Sequence, residues 1–264
     1  MSDDHGRLTA CLVSIACFLR GVPLFFCATP RTPLRVLCII AFDTLHVLRT
    51  SRPLPRHRVR QLAALLDFGA CANSVMDHKQ LEPGEFQMTR QRLEIAGISP
   101  VVEHYLRQLQ ELEGERPSPG GDDHRFDDIR AYRQAIAKIW LRMIATIAFN
   151  PTSTEDGTWS IQWDDDLEML FRIVMQCQII DDVLDYAEDD SAGLPSFLTA
   201  SLSLPHSLHR TAQAARSYGS HSDLSQSADL FPLRAAVVAV SGLAQLVIRI
   251  RVSRASGTSR MKPA

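Results

Sequence analysis

The sequence predicts an all-α chain, folded as a single-domain antiparallel helix bundle over residues 1–251. Three observations carry that prediction. Apolar residues recur at steps of three and four along nearly the whole chain. No useful stretch alternates apolar and polar as a half-buried strand does, and no segment repeats another. Proline- and glycine-bearing breaks cut the pattern into pieces of helical length. With 264 residues, 45% of them hydrophobic, the chain can bury one large core.

Pro33 stands where a first-turn proline belongs, ahead of an apolar run from Leu34 to Leu48. That helix is apolar almost all round, so it is predicted to be central. Ser51 to His57 forms a basic turn, and a second helix follows from about Arg58 to Asp77. Pro83-Gly84 breaks the chain, Glu85 to Ala96 resumes it, and a further helix covers Pro100 to Leu112. Gly114 to Asp123 is a loop rich in Gly, Pro and Asp, before a long helix from Asp127 to Phe149. After the loop at 150–157, Asp164-Asp165-Asp166 supplies an N-cap and first-turn acids for the next helix. From Ser201 to Ser227 the composition turns to Ser, His and Ala, which predicts mobility. The end, 252–264, is basic and predicted to be a disordered tail.

Charged residues make up 22% and the net charge is −2, so no basic excess argues for nucleic acid. The six cysteines lie in or beside apolar runs and no two are spaced as CxxC. They read as buried free thiols of a cytoplasmic protein. Two segments imitate membrane spans. Leu8 to Thr29 is interrupted by Arg20, Gly21 and Pro23, and follows an acidic start unlike a signal peptide. Ala235 to Ile248 is uncharged but shorter than the roughly 20 residues a span takes. Both read as buried bundle helices, which still leaves room for peripheral membrane contact.

The segment that carries chemistry runs from Gln176 to Asp190. On a helix Gln178, Asp181, Asp182, Asp185 and Asp189 fall on one stripe, with Ile179, Ile180, Val183 and Leu184 turned towards packing. Like charges one turn apart destabilise a bare helix. A hard divalent cation reverses that sign, because it prefers oxygen ligands. A solvated acidic face is the plain alternative, but such faces mix signs, and no Lys or Arg stands nearby in sequence.

The string Gln178-Ile179-Ile180-Asp181-Asp182-Val183-Leu184-Asp185 resembles the second aspartate-rich motif, QxxDDxxD, of class I isoprenoid synthases, the trans-prenyltransferases and terpene synthases. The resemblance implies a bundle of the isoprenoid-synthase type, Mg²⁺ as cofactor, and a prenyl diphosphate as substrate. It makes Asp181, Asp182 and Asp185 the catalytic metal ligands. Such enzymes carry a DDxxD on an earlier helix. Here Asp77 matches its first aspartate, while His78 and Leu81 stand where the others belong, and Glu82 is a late substitute. For the diphosphate the resemblance points to Arg31 and Arg35, near where the family has a basic loop, to Arg90 and Arg92 after the first motif, and to Gln178. Guanidinium forks suit phosphate oxygens.

Asp67 and Asn73 read as pocket walls or buried hydrogen-bonded groups, and so do Asp43 and His46. Arg130, Tyr132 and Arg133 lie on the helix before the loop at Pro151, where they can face a cavity.

The reading is therefore Mg²⁺-dependent ionisation of an allylic prenyl diphosphate, as in a terpene synthase-like cyclase, by a monomer or a homodimer. The rivals are a chain-elongating or head-to-head prenyltransferase, and a non-catalytic partner subunit that kept the fold. A di-metal carboxylate bundle needs Glu-x-x-His pairs on facing helices, and the sequence has none.

Overall fold

The computed structural model describes residues 2–23, 33–76, 84–118, 123–149, 159, 161–220, 227 and 230–259. The chain is all-helical. Among the described residues the elements are α1 (Ser2–Gly21), α2 (Pro33–Thr50), α3 (Arg56–Met76), α4 (Glu85–Ile95), α5 (Ser99–Gly114) and α6 (Asp123–Phe149). They continue as α7 (Asp165–Leu184), α8 (Tyr186–Ala192), α9 (Leu204–Gly219) and α10 (Phe231–Ser259). The contacts divide the chain into two compact units, the first comprising Met1–Leu109, Ile139–Trp163 and Ser227–Pro232. The second comprises Gln110–Lys138, Asp164–Gln226 and Leu233–Ala264.

In the first unit α2 packs against α1 and α3, and α3 against α4. The central position expected for α2 holds: Val36, Ile39, Phe42 and Leu45 are buried. Burying each such side chain contributes about 1.5–3 kcal/mol. Phe42 meets Phe149 at 5.8 Å between ring centres. The turn expected between α4 and α5 closes in a Schellman pattern. Gly97, at φ 68°, donates to Glu94, Ile98 donates to Leu93, and both apolar partners are buried. Asp43 and His46 do not pair with each other. Asp43 accepts from the Leu54 N–H and meets Arg20, while His46 Nδ1 lies 2.7 Å from the Arg52 carbonyl.

In the second unit α7 packs against α9. Leu167, Leu170, Phe171, Met175, Ile179 and Val183 form its buried face. Asp164 caps α7 as expected, accepting from the Leu167 N–H at 3.0 Å. Helix α9 lies where mobility was expected. Pro205 sits in its first turn, and Leu208, Thr211, Ala215 and Tyr218 recur at helical steps and are buried. That stripe of small and polar-looking residues is easily misread as a loop. Helix α10 runs antiparallel to α9: Gly219 faces Ser241, and the Gln245 amide donates to the Ala212 carbonyl. It continues to Ser259, beyond the start of the expected tail at 252.

Two expectations about burial fail. Leu8, Leu12, Ile15 and Leu19 of α1 are each more than half exposed. In α10 the uncharged stretch belongs to a 23-residue apolar stretch, Phe231–Ser253, whose most apolar part is only 28% buried. Window length was misjudged because Arg234 and Arg249 bracket the uncharged core without ending the helix.

Candidate functional site

The acidic motif lies at the junction of α7 and α8. Helix α7 ends at Leu184, and Asp185 is its C-cap, its N–H donating to the Asp181 carbonyl. The chain then re-enters α8, so Asp189 lies on a different helix from Asp181 and Asp182. The single stripe expected from the spacing is therefore broken.

Within α7 the two adjacent aspartates part company. Successive residues are about 100° apart around a helix, so Asp181 and Asp182 cannot share one environment at its edge. Asp181 and Asp185 are exposed. Asp182 is 3% exposed and joins the buried face with Met175, Gln176, Ile179 and Val183. Both of its oxygens are engaged: Oδ1 accepts from Arg133 Nη2 at 3.0 Å, and Oδ2 accepts from the Phe197 N–H at 2.7 Å. Leu184, expected to pack, is 63% exposed, because it lies on the far side of the helix from Val183's neighbours.

The turn after α8 makes the second of those bonds. Gly193 adopts φ 64°, a left-handed cap that reverses the chain. The Thr199 hydroxyl then donates to the Leu194 carbonyl at 2.7 Å and accepts from the Ser196 N–H at 2.8 Å. This knot holds Phe197 so that its N–H reaches Asp182, and its ring meets Phe126 at 5.8 Å.

Electrostatics ties the carboxylates together. Burial pushes the Asp182 carboxyl up to about 6, and Arg133 and the Phe197 N–H pull it back. Asp189 and Asp181 push it further up. Asp189 is also raised, chiefly by burial, with Ser196 and Arg133 opposing and Asp185 and Asp181 adding. The four side chains are thus close enough to feel one another, with Arg133 among them. Gln178, one turn before Asp181 and Asp182, is half-buried, and its Oε1 is buried without a hydrogen-bond partner. Arg133 Nε is likewise buried and without one.

The other predicted site residues fall elsewhere. In the first unit Arg35 and Arg92 both bind Asp67, Arg35 in direct contact and Arg92 at 3.3 Å. Arg35 and Asp67 are buried, and burial, followed by Arg92, lowers the Arg35 pKa. Arg90 is exposed and makes no ion pair among the described residues. Arg31 and Asp77, with His78 and Glu82, lie outside the described residues.

Sequence spacing alone missed two cations. Arg133, 49 residues before Asp182, was legible only as a residue able to face a cavity. Arg251 sits with its guanidinium 5.1 Å from the ring centre of Tyr186, the first residue of α8. Its signal was an arginine inside an apolar helix, which is unusual enough to mark.

The donor set suits a hard cation: exposed carboxylates one turn apart, beside an acceptor oxygen with no partner. Among the described residues no three His, Cys, Asp or Glu side chains already converge as a finished metal site. Mg²⁺ commonly takes one or two carboxylates and completes its shell with water and phosphate, so the residues fit it without a preformed cage. No family model, curated protein or solved structure matches the chain.

Proposed function

We propose that the α7–α8 junction binds Mg²⁺ together with the diphosphate of an allylic prenyl substrate and ionises that substrate, in the manner of a terpene synthase of the isoprenoid-synthase type. One observation carries the reading. Asp181 and Asp185 are exposed a turn apart, beside the unpartnered Gln178 Oε1, while Asp182 behind them is fixed through both oxygens.

When bound, Mg²⁺ draws charge from the leaving diphosphate. The chain's own residues do the rest. Asp181 and Asp185 would hold the cation through their anionic oxygens, with the polar Gln178 side chain one turn behind them. Asp182 does not reach out. It anchors Arg133, which keeps a guanidinium charge beside the carboxylates to balance a diphosphate. Cleavage of the allylic C–O bond sends the electron pair to the diphosphate and leaves a delocalised carbocation. An internal double bond quenches it in a cyclase, and loss of a proton completes that reaction. In a prenyltransferase a second substrate's double bond takes that place.

One observation favours a second reading, a non-catalytic subunit: Asp67, on the earlier helix, is held by two arginines instead of standing open. Incubation with Mg²⁺ and geranyl, farnesyl or geranylgeranyl diphosphate, with and without isopentenyl diphosphate, separates the two. The expected result is pyrophosphate release and a hydrocarbon or longer diphosphate product, lost in Asp181→Asn. Thermal unfolding supplies a readout without turnover. Mg²⁺ plus pyrophosphate should raise Tm well beyond the two separate shifts, and Asp181→Asn should erase that excess. A folded protein showing neither turnover nor joint stabilisation would make the subunit reading the better one.

A further inference from the structure

Helix α10 differs from every other helix in how its apolar residues and charges are placed. From Phe231 to the end the chain carries six cations (Arg234, Arg249, Arg251, Arg254, Arg260, Lys262) and no acid. The remainder holds 22 of the 28 basic residues against all 30 acids. An acidic protein has therefore gathered a wholly basic end on and after a long apolar helix.

The exposure of α10 follows one face. Leu233, Val237, Ala244 and Ile248 are buried, whereas Val238, Leu243, Leu246 and Ile250 are roughly half exposed. Between Ala235 and Ile248 this outer face carries no charge at all. At its C-terminal end a groove of ≈ 760 Å³ opens between α9 and α10, floored by Leu208 and Ile248. Arg216 and Arg249 flank it, and neither makes an ion pair among the described residues. An apolar strip that ends in exposed guanidiniums matches the cross-section of a bilayer surface, with acyl chains below and phosphates above.

We propose that the outer face of α10 docks on an anionic lipid surface. Val238, Leu243, Leu246 and Ile250 enter the acyl boundary, and Arg216 and Arg249 meet lipid phosphates. The back of the helix stays against α9, so it lies in the interface and does not cross it. A second copy of the chain is a poorer occupant. Four half-exposed aliphatic side chains fall well short of the roughly 800 Å² per partner that a stable dimer buries. The exposed stripe of α1 offers no such match, since Asp3 and Asp4 precede it and Arg20 is taken by Asp43.

The test is co-sedimentation of the full chain with phosphatidylcholine vesicles, with and without phosphatidylserine, at low and high salt. Binding should require phosphatidylserine and fall as salt rises. Leu243→Asp/Leu246→Asp should abolish it, and Arg216→Gln/Arg249→Gln should weaken it by roughly fivefold per arginine. All four positions are exposed or line an open groove, and circular dichroism checks that each variant stays helical. Asp181→Asn should bind vesicles like the wild type, so a failed metal site leaves this result readable. Equal binding to neutral vesicles, or none, overturns the proposal. So does a bound fraction that resists alkaline extraction, which means a spanning helix. A Leu243→Asp/Leu246→Asp variant that only changes from dimer to monomer assigns the face to a second copy instead.

Discussion

Asp67 in the first unit and Asp182 in the second are both buried aspartates held by arginine, and the two are arranged in opposite ways. Asp67 in the first unit receives two guanidiniums, from Arg35 and Arg92, and stands at the centre of a cationic cluster. Asp182 in the second unit receives one, from Arg133, and feels the charges of Asp181 and Asp189 besides. The first arrangement satisfies a carboxylate with more positive charge than it needs. The second crowds carboxylates around one cation, and these add to burial, the larger cause, in raising the pKa values of Asp182 and Asp189. A crowd of that kind costs stability in the bare chain and falls in energy when a divalent cation arrives. The contrast explains why the motif in α7–α8, and not the aspartate of α3, is the better candidate for metal and diphosphate.

The sharpest way to break this comparison is to remove one partner from each site. Asp67→Leu removes the carboxylate shared by Arg35 and Arg92, neither of which can lose its proton, and should cost about 3–5 kcal/mol whatever the pH. Arg133→Leu strands Asp182, which can neutralise itself by taking a proton. Its cost should be distinctly smaller near pH 5 than near pH 8. Urea unfolding of both variants at the two pH values measures this. Equal pH dependence would mean that Asp182 does not respond to its neighbours as described.

A somewhat smaller effect is expected from titration of the intact protein. The folded chain holds the Asp182 proton more tightly than the unfolded chain, at about 6 against an ordinary 3.8. Between those values the folded state binds more protons, so stability falls as pH rises through the window. The contribution is fully present below about pH 4 and lost above about pH 6, and amounts to about 3 kcal/mol. The difference between wild type and Asp182→Asn isolates it, since other carboxylates titrate in both. A difference that stays flat across the window would mean that burial and its carboxylate neighbours do not raise the Asp182 pKa.

The smallest effect belongs to Asp164. Asp164→Ala removes the cap on the Leu167 N–H and should cost about 1 kcal/mol, with Mg²⁺–pyrophosphate stabilisation unchanged. A loss of that stabilisation would extend the site to the far end of α7, some 17 residues from Asp181.

Much of the architecture could be read along the chain. The helical class, the Asp164 cap, the start of α4 after Gly84 and the apolar central α2 all follow from local pattern and from the backbone limits of proline and glycine. Helix α9 was missed because Thr211, Ala214 and Ala215 pack as core against a close neighbour while looking polar or featureless in sequence. At the candidate site the acidic residues were legible, and their fates were not. Spacing put Asp181, Asp182 and Asp185 together. It could not say that Asp182 turns inward, because that depends on where the core lies around α7.

By itself the sequence determined which segments are helical, where carboxylates concentrate, and that the basic charge gathers at one end. Those are properties of neighbours along the chain, set by steric limits and by spacing of three to four residues. Only the tertiary structure decided which charges meet. Arg133 reaches Asp182 across 49 residues, Arg35 and Arg92 close on Asp67, and the Phe197 N–H is brought round by the turn at Gly193. Such pairings arise because a buried charge must find a partner wherever the packed helices deliver one, and the distance along the chain does not enter that requirement.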